Sequence, residues 1–450
     1  MTSMRITEAL THATHTKAVR LEPGSLAAVG PTFAASFPDA RAQVIADGNT
    51  EAAAGEATRA SLREAGVGLE ESLVFPARPT LYAGYERVPE IVEVLEGSEA
   101  VPVVVGSGTL NDLVKRAASE VDRPYMVVAT AASMDGYAAY GASLAKDGHK
   151  QTVSCPAPRA VVADLDVLAA APPAMTASGY GDLLGKVTAG ADWLLADALG
   201  VEPVDRLCWD LVQQPLRASI GRPAALADGD LDAMGSLVEG LVMSGVAMQA
   251  HASSRPASGS EHQFSHLWEM EGLGRDLDPP LSHGDKVGLG SIAVAALYER
   301  LLEHDLSALD VDACLRAWPT FDELEARARA AHPLLGDVAV AQLTAKYVDA
   351  DGLAARLGRL AAAWPELRER LASQLLPAAT LHAMLDDVGC PTTPQHIGLD
   401  TAAFKATYAR AQMIRSRYTV LDVAVETGLL EPCVEELFAP GGYWAALPPG

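Results

Sequence analysis

The chain is 450 residues long and carries 58 acidic against 34 basic side chains, a formal net charge of −24. That balance excludes nucleic acid as a partner, because phosphate backbones are gripped by clustered Lys and Arg. It still allows one anionic small substrate at a local positive site. Hydrophobic residues make up 49% of the chain, yet charges interrupt the apolar runs before a membrane-spanning length of about 20 residues is reached. Arg5 and Glu8 stand where a signal peptide would be apolar. Five scattered cysteines without a CxxC pair fit a reducing compartment. The expectation is a cytoplasmic enzyme that spans no membrane.

The first 165 or so residues read as alternating strands and helices. AQVIADGN at 42–49 is an apolar strand ending in Asp47, and a long Ala- and Glu-rich helical stretch follows from Thr50 to Ala65. VPVVVGSGTLNDLVKRAAS is the clearest unit, with a buried strand from Pro102 to Val105, a Gly-rich turn and then a helix. PYMVVATAAS and AVVADLDVLAAAP supply two further strands. This alternation implies a parallel, Rossmann-like α/β sheet wound on both faces, whose ligands sit at the carboxyl ends of the strands. After Pro172 and Pro173 the pattern becomes helical, as in ARLGRLAAAWPELRERLASQLL and FKATYARAQMIRSRY. Two domains are expected: an α/β domain at 1–170 and an all-helical domain at 171–450.

Four segments carry chemistry. In GSGTLND, at 106–112, a strand, a Gly turn and a helix start can present backbone N–H groups to a phosphate. Gly106 and Gly108 permit positive φ and close backbone approach. The motif has neither the Rossmann nor the P-loop spacing, and a plain tight turn reads equally well. In SGYGDLLGK, at 178–186, Asp182 reads either as a ligand or as a helix-capping carboxylate after a Gly-containing turn. SGSEHQFSHLWE, at 258–269, places His262 and His266 four residues apart on one helix face. LSHGDKVGLGS, at 281–291, offers His283 in a loop before a helix. Two His and one carboxylate suit a borderline divalent ion and leave positions open for a substrate oxygen. Each histidine taken singly also reads as a solvated or satisfied core residue.

Taken in order, TAASMDGYAA at 130–139, GYGDLLGK, SRPASGSEHQFSH and LSHGDKVGLG resemble the sn-glycerol-1-phosphate dehydrogenases. That family belongs to a superfamily with glycerol dehydrogenases, iron-type alcohol dehydrogenases and dehydroquinate synthases. The stretches CPTTPQHIGL and RAQMIRSRYTVLDVAVETGLL look like its bacterial members. The resemblance runs from about residue 20 to about residue 440 and implies a dehydroquinate synthase-like fold. It places the dinucleotide, NAD or NADP, on Gly106, Ser107, Gly108, Thr109 and Asn111, with Asp112, Thr130 and Ser133 beside it. It places Asp135 where substrate and nicotinamide meet, the metal on Asp182, His262 and His283, and His266 on the substrate side. One position departs from the archaeal pattern: Ala139 stands where that pattern has a Ser, which removes a hydroxyl contact to the cofactor.

The implied activity is metal-dependent reduction of dihydroxyacetone phosphate to sn-glycerol 1-phosphate, by a homodimer. Zinc, nickel and iron all suit the ligand set. Asp47 is expected near the adenosine ribose. Lys186, Lys150, Lys286, Arg415 and Arg417 form the shortlist of cations for the small phosphorylated substrate, with Arg415 and Arg417 also reading as the solvated face of a late helix. Three competing readings stand beside this one: a dehydrogenase of another polyol or polyol phosphate, a sugar phosphate cyclase, and a binding protein on an inherited scaffold. Asp182 and the shortage of basic residues count against the cyclase, which usually carries Glu as its carboxylate ligand.

Overall fold

The structure, a computed structural model, describes residues 4–146 and 149–447. Its eight strands all fall in the first part of the chain: β1 (Ala18–Glu22), β2 (Ala42–Asp47), β3 (Leu73–Phe75), β4 (Val101–Gly106), β5 (Met126–Ala129), β6 (Ala142–Lys146), β7 (His149–Val153) and β8 (Ala160–Asp164). Six form one parallel sheet in the order β1-β8-β5-β4-β2-β3, and β6 and β7 make an antiparallel hairpin beside it. From Pro173 onward the described residues contain helices and no strand. The protein is therefore α/β at its start and all-helical thereafter, as the sequence pattern requires.

The central strands are apolar on both faces because both faces are covered. Val44, Ala46, Val103, Val105, Val128 and Val162 join Val29, Phe33 and Leu62 in one cluster. Their neighbours Ile45, Val104, Val127 and Val161 point the other way, into a larger cluster that runs on into the helical part. A period of two splits each strand between two cores, and each such side chain contributes about 1.5–3 kcal/mol on burial. The edge strands β1 and β3, only partly buried, escape the sequence reading because they are short and carry charge or exposed residues.

The strand order reverses between β2 and β4. β2 leads outward to β3, whereas β4, β5 and β8 follow one another on the other side. Ile45 pairs with Val104, so Asp47 and Gly106 end adjacent strands at the same height, at the carboxyl edge. A sheet of this kind binds ligands at that switch point.

Six helices position the residues of interest: α1 (Gly108–Glu120), α2 (Pro173–Leu184), α3 (Lys186–Ala198), α4 (Leu231–His251), α5 (Ser260–Met270) and α6 (His283–Glu303). Helix α4 is long and apolar enough to cross a membrane, contrary to the expectation from interrupted apolar runs, but 72% of its apolar window is buried inside the protein. It is a core helix. Helices α2 and α6 cross backbone to backbone. A Cβ on Gly284 would lie 1.7 Å from the carbonyl oxygen of Ser178, and one on Gly179 would lie 1.8 Å from that of Ala132. Gly179 and Gly181 of SGYGDLLGK are thus inside α2, where they make room for a loop and a helix, and Asp182 is in its last turn rather than at its N-cap.

Gly284→Ala is expected to lower stability by about 1–3 kcal/mol or more through overpacking. Gly358→Ala, on an exposed helical site with nothing within 4 Å of the new Cβ, should instead raise it by about 1 kcal/mol. Chemical denaturation of both variants checks this; an unaltered Gly284→Ala would refute the close crossing.

Candidate active site

The crossing of α2 and α6, with α5 laid against α6 and α3, brings together Asp182, His262 and His283. One potential ligand atom from each lies within 4.8 Å of the others. Bonds of about 2.0–2.2 Å to a common ion allow donors up to about 4 Å apart, so shifts of up to about an ångström would close the site. His262 Nδ1 is 2.7 Å from Glu261 Oε1, and His283 Nδ1 is 2.9 Å from Glu269 Oε1. An ionised carboxylate only accepts, so both rings carry their proton on Nδ1 and keep the Nε2 lone pair for a ligand. His262 Nε2 stands 3.7 Å from Asp182 Oδ1. Burial lowers the pKa of His262 against the opposing pull of Glu261, which favours the neutral, ligating form. Asp135, Asp182, Glu261 and Glu269 surround the triad with carboxylates, against the ammonium of Lys186 and the guanidinium of Arg415. That local excess of negative charge is one a divalent cation would offset, so the donor set fits a metal ion.

Lys186 is wholly buried at the start of α3. Its Nζ lies 2.6 Å from Asp182 Oδ1 and 2.9 Å from Asp135 Oδ2. Burial opposes charge on both groups, but the Lys186 ammonium above all holds Asp182 well below the usual carboxylate range. Asp135 and Asp182 in turn raise Lys186. The Asp135 main-chain N–H donates to Asp182 Oδ2 at 3.0 Å, and Ser244 of α4 donates to Asp135 Oδ2 at 2.8 Å. Ser178 Oγ donates to the Ser133 carbonyl at 3.0 Å. The loop after β5 is thereby fastened to the helix that carries Asp182.

His266 shares a face of α5 with His262, their ring centroids 5.8 Å apart. Its Nδ1 accepts from Arg415 Nε and Nη2 at 3.1 and 2.8 Å. A guanidinium only donates, so the remaining His266 proton is on Nε2. Burial first, and then the Arg415 charge, push the His266 pKa well below its ordinary value. Arg415 and Arg417 lie in the loop after the helix Thr401–Met413 rather than on a solvated helix face. Arg417 donates to the Ser258 carbonyl at 2.8 Å and to Ser254 Oγ at 3.0 Å, bracing the loop before α5. Lys286, in the first turn of α6, is buried and donates to the Leu281 carbonyl at 3.2 Å. The side chains of His149 and Lys150 lie outside the described residues.

At the carboxyl edge, Thr130 N–H donates to the Gly106 carbonyl at 3.2 Å. Ser107 is the N-cap of α1 with φ −84°, so a non-glycine residue fits there. Gly106 and Gly108 do not have positive φ; they are needed for space, since a Cβ on Gly108 would meet Met134 Sδ at 2.7 Å. Ser107 and Thr109 are partly exposed. Asn111 and Asp112 turn inward: Asn111 Oδ1 accepts from Tyr125 Oη at 3.3 Å, and Asp112 Oδ2 accepts from Ser143 N–H at 2.9 Å. Asp47 Oδ1 accepts from the amides of Asn49 and Thr50, at 2.8 and 3.0 Å. Ala139 is buried in an apolar group with Met248 and Ala257.

Sequence reasoning missed Glu261, Glu269, Ser244 and Lys115. Lys115 is buried in α1 and donates to the carbonyls of Gly136, Ala139 and Gly141 at 2.9, 3.1 and 3.0 Å, pinning the segment that starts at Asp135. Only the two glutamates left a trace, Glu261 beside His262 and Glu269 three residues past His266.

Residues 20–172 match the sequence family described as iron-containing alcohol dehydrogenase. Among solved structures, maleylacetate reductase from Agrobacterium tumefaciens superposes with a TM-score of 0.57 at 18% identity, covering 93% of this chain and 96% of that one. Glycerol dehydrogenase from Schizosaccharomyces pombe gives 0.57 at 14% identity, covering 96% and 93%. At such identities the likeness shows the fold alone. Fold, triad and the match over residues 20–172 make the chain similar to iron-containing alcohol dehydrogenases.

Closer relatives narrow the class. The chain is 31% identical to the NAD(P)+ glycerol-1-phosphate dehydrogenase of Geobacillus stearothermophilus over 385 residues, 85% of each chain. It is 36% identical to that of Bacillus velezensis over 264 residues, 58% of this chain and 66% of the relative, just under two thirds of that protein's length. The chain belongs to the glycerol-1-phosphate dehydrogenase family.

Glu261→Gln and Glu269→Gln are each expected to weaken divalent-metal binding by about 10–100-fold, read by competition with a chromogenic chelator. Lys186→Met should destabilise the metal-free protein by about 3–5 kcal/mol, because it leaves two carboxylates without their shared cation. Unchanged urea midpoints would contradict that assignment.

Proposed function

We propose that this protein reduces dihydroxyacetone phosphate to sn-glycerol 1-phosphate with NADH or NADPH, reversibly, in a cleft between a domain at 1–170 and a domain at 171–450. The observation that carries this reading is the triad of Asp182, His262 and His283, with both histidines turned by glutamates, placed directly against the loop that leaves the β5 edge. When bound, the dinucleotide supplies the hydride, and a divalent ion on the triad polarises the C2 carbonyl and offsets the charge that develops on its oxygen. Zinc, nickel and iron all suit this donor set.

The chain's own residues do the rest. The carboxyl edge at Gly106–Thr109 and Thr130 offers main-chain N–H groups for the dinucleotide. Asp135, held by Lys186 and Ser244, fixes the loop where nicotinamide and substrate meet. His266, with Nδ1 occupied by Arg415, offers its Nε2–H to the substrate oxygen or to the water that delivers the proton. Arg415 has further N–H groups for the substrate phosphate. Lys186, shortlisted for that phosphate, is already shared between two carboxylates. That commitment favours, as a second reading, a dehydrogenase of a non-phosphorylated polyol.

The test is NADH oxidation by metal-loaded protein, with dihydroxyacetone phosphate compared with dihydroxyacetone. Turnover of the phosphorylated ketone is expected, with kcat falling roughly 10²-fold in His266→Gln and activity lost in Asp182→Asn. Turnover of dihydroxyacetone alone would establish the second reading, and absence of both would overturn the first.

A further inference from the structure

The cations of this acidic chain are not spread evenly. Three adjacent parallel strands, β1, β8 and β5, begin side by side, with Ala18 opposite Ala160 and Ala160 opposite Met126. Lys17 and Arg159 immediately precede β1 and β8, and Arg123 lies just before β5. They line a cavity of about 370 Å³ at the amino edge of the sheet. The carboxyl edge with Gly106 and Thr130 is a strand length away, about 15 Å for five residues. The cavity is lined by four cationic residues, these three and Lys115, and by one acidic residue, Asp122. In a protein of net charge −24 four cations gathered at one cavity stand out, although two of them have carboxylate partners.

The cations differ in how far they are engaged. Arg123 donates to the carbonyls of Leu95, Ser98 and Ala100 and pairs with Glu99 at 3.8 Å. Lys115 donates to those of the Asp135 segment and pairs with Asp112 at 3.5 Å, so neither is left for a ligand. Lys17 spends one of three protons, on the Ala13 carbonyl. Arg159 is exposed, and its guanidinium has no hydrogen-bond or ion-pair partner among the described residues. A planar fork and an ammonium lining one cavity match the oxygens of a phosphate. Tyr125 forms a fixed wall through its bond to Asn111, and Pro124 and Pro156 add apolar surface. Such a volume, part polar and part apolar, is that of a small-ligand pocket.

We propose that this cavity binds a small organic phosphate through Arg159 and Lys17, at a site separate from the metal triad. Isothermal titration calorimetry of the full chain with inorganic phosphate and with ribose 5-phosphate tests it. Arg159→Gln is expected to weaken the ribose 5-phosphate site at least tenfold, and the Lys17→Gln/Arg159→Gln double variant to remove it. Any binding at the catalytic site would persist in both variants. A larger loss for ribose 5-phosphate than for inorganic phosphate supports an organic ligand, whereas equal loss means that the ion alone is recognised and overturns the organic assignment. Identical titrations of wild type and Arg159→Gln, or no binding to wild type, overturn the site altogether. Arg159 is exposed, so its single substitution reads the site even if the double variant melts early. Turnover without ligand should stay within twofold of wild type; a chain that binds here yet reduces no ketone would refute the proposed activity and not this site.

Discussion

One buried ammonium ties the molecule together. Lys186 is shared between Asp182, on the helix that follows the sheet, and Asp135, on the loop that leaves β5. Two carboxylates in a dry interior repel each other and resist ionisation. A cation between them reverses that tendency, keeping Asp182 ionised and the loop in place. Everything assigned to the site hangs on this bridge: the carboxylate arm of the triad, the position of Asp135, and the junction of the carboxyl edge with the helices.

Around that bridge the site is built from fixed orientations rather than from many contacts. Glu261 and Glu269 turn their histidines so that Nε2 faces inward, and Arg415 forces the opposite tautomer on His266. Three imidazoles within about 6 Å of one another thus take two different roles through their partners alone: two present lone pairs and one presents an N–H. Further out, Asp192 of α3 accepts from Ser260 N–H and Oγ, both at 2.7 Å, and from Tyr298 at 2.7 Å. It supplies the cap that Gly259 does not give α5. Burial, with Glu261 nearby, pushes its pKa up to about 6.

Several local readings of the sequence changed in three dimensions. Gly106 and Gly108 were expected to permit positive φ and close approach; their φ is not positive, and only the close approach is seen. Arg415 and Arg417 looked like a solvated helix face, and they are loop residues turned inward to brace His266 and the turn before α5. Ala139, read as the loss of a cofactor hydroxyl, has a methyl that packs with Met248 and Ala257, which leaves that reading standing. For the arginines and Ala139 the residue type was informative, but the partner that gives it meaning comes from over 100 residues away.

By itself the sequence determined the strand–helix alternation, the apolar central strands, the Gly-rich turn and the three segments that carry Asp182, His262 and His283. These are local properties, set by hydrophobic period and turn chemistry. It also carried the family resemblance, through runs of residues that stay contiguous. The tertiary structure decided what depends on distance between remote segments. It drew Lys186 into a salt bridge across 51 positions, gave each histidine its tautomer, and gathered Lys17, Arg123 and Arg159 at one edge of the sheet. Charge pairing and tautomer choice act over a few ångströms, and only the folded chain brings those atoms that close.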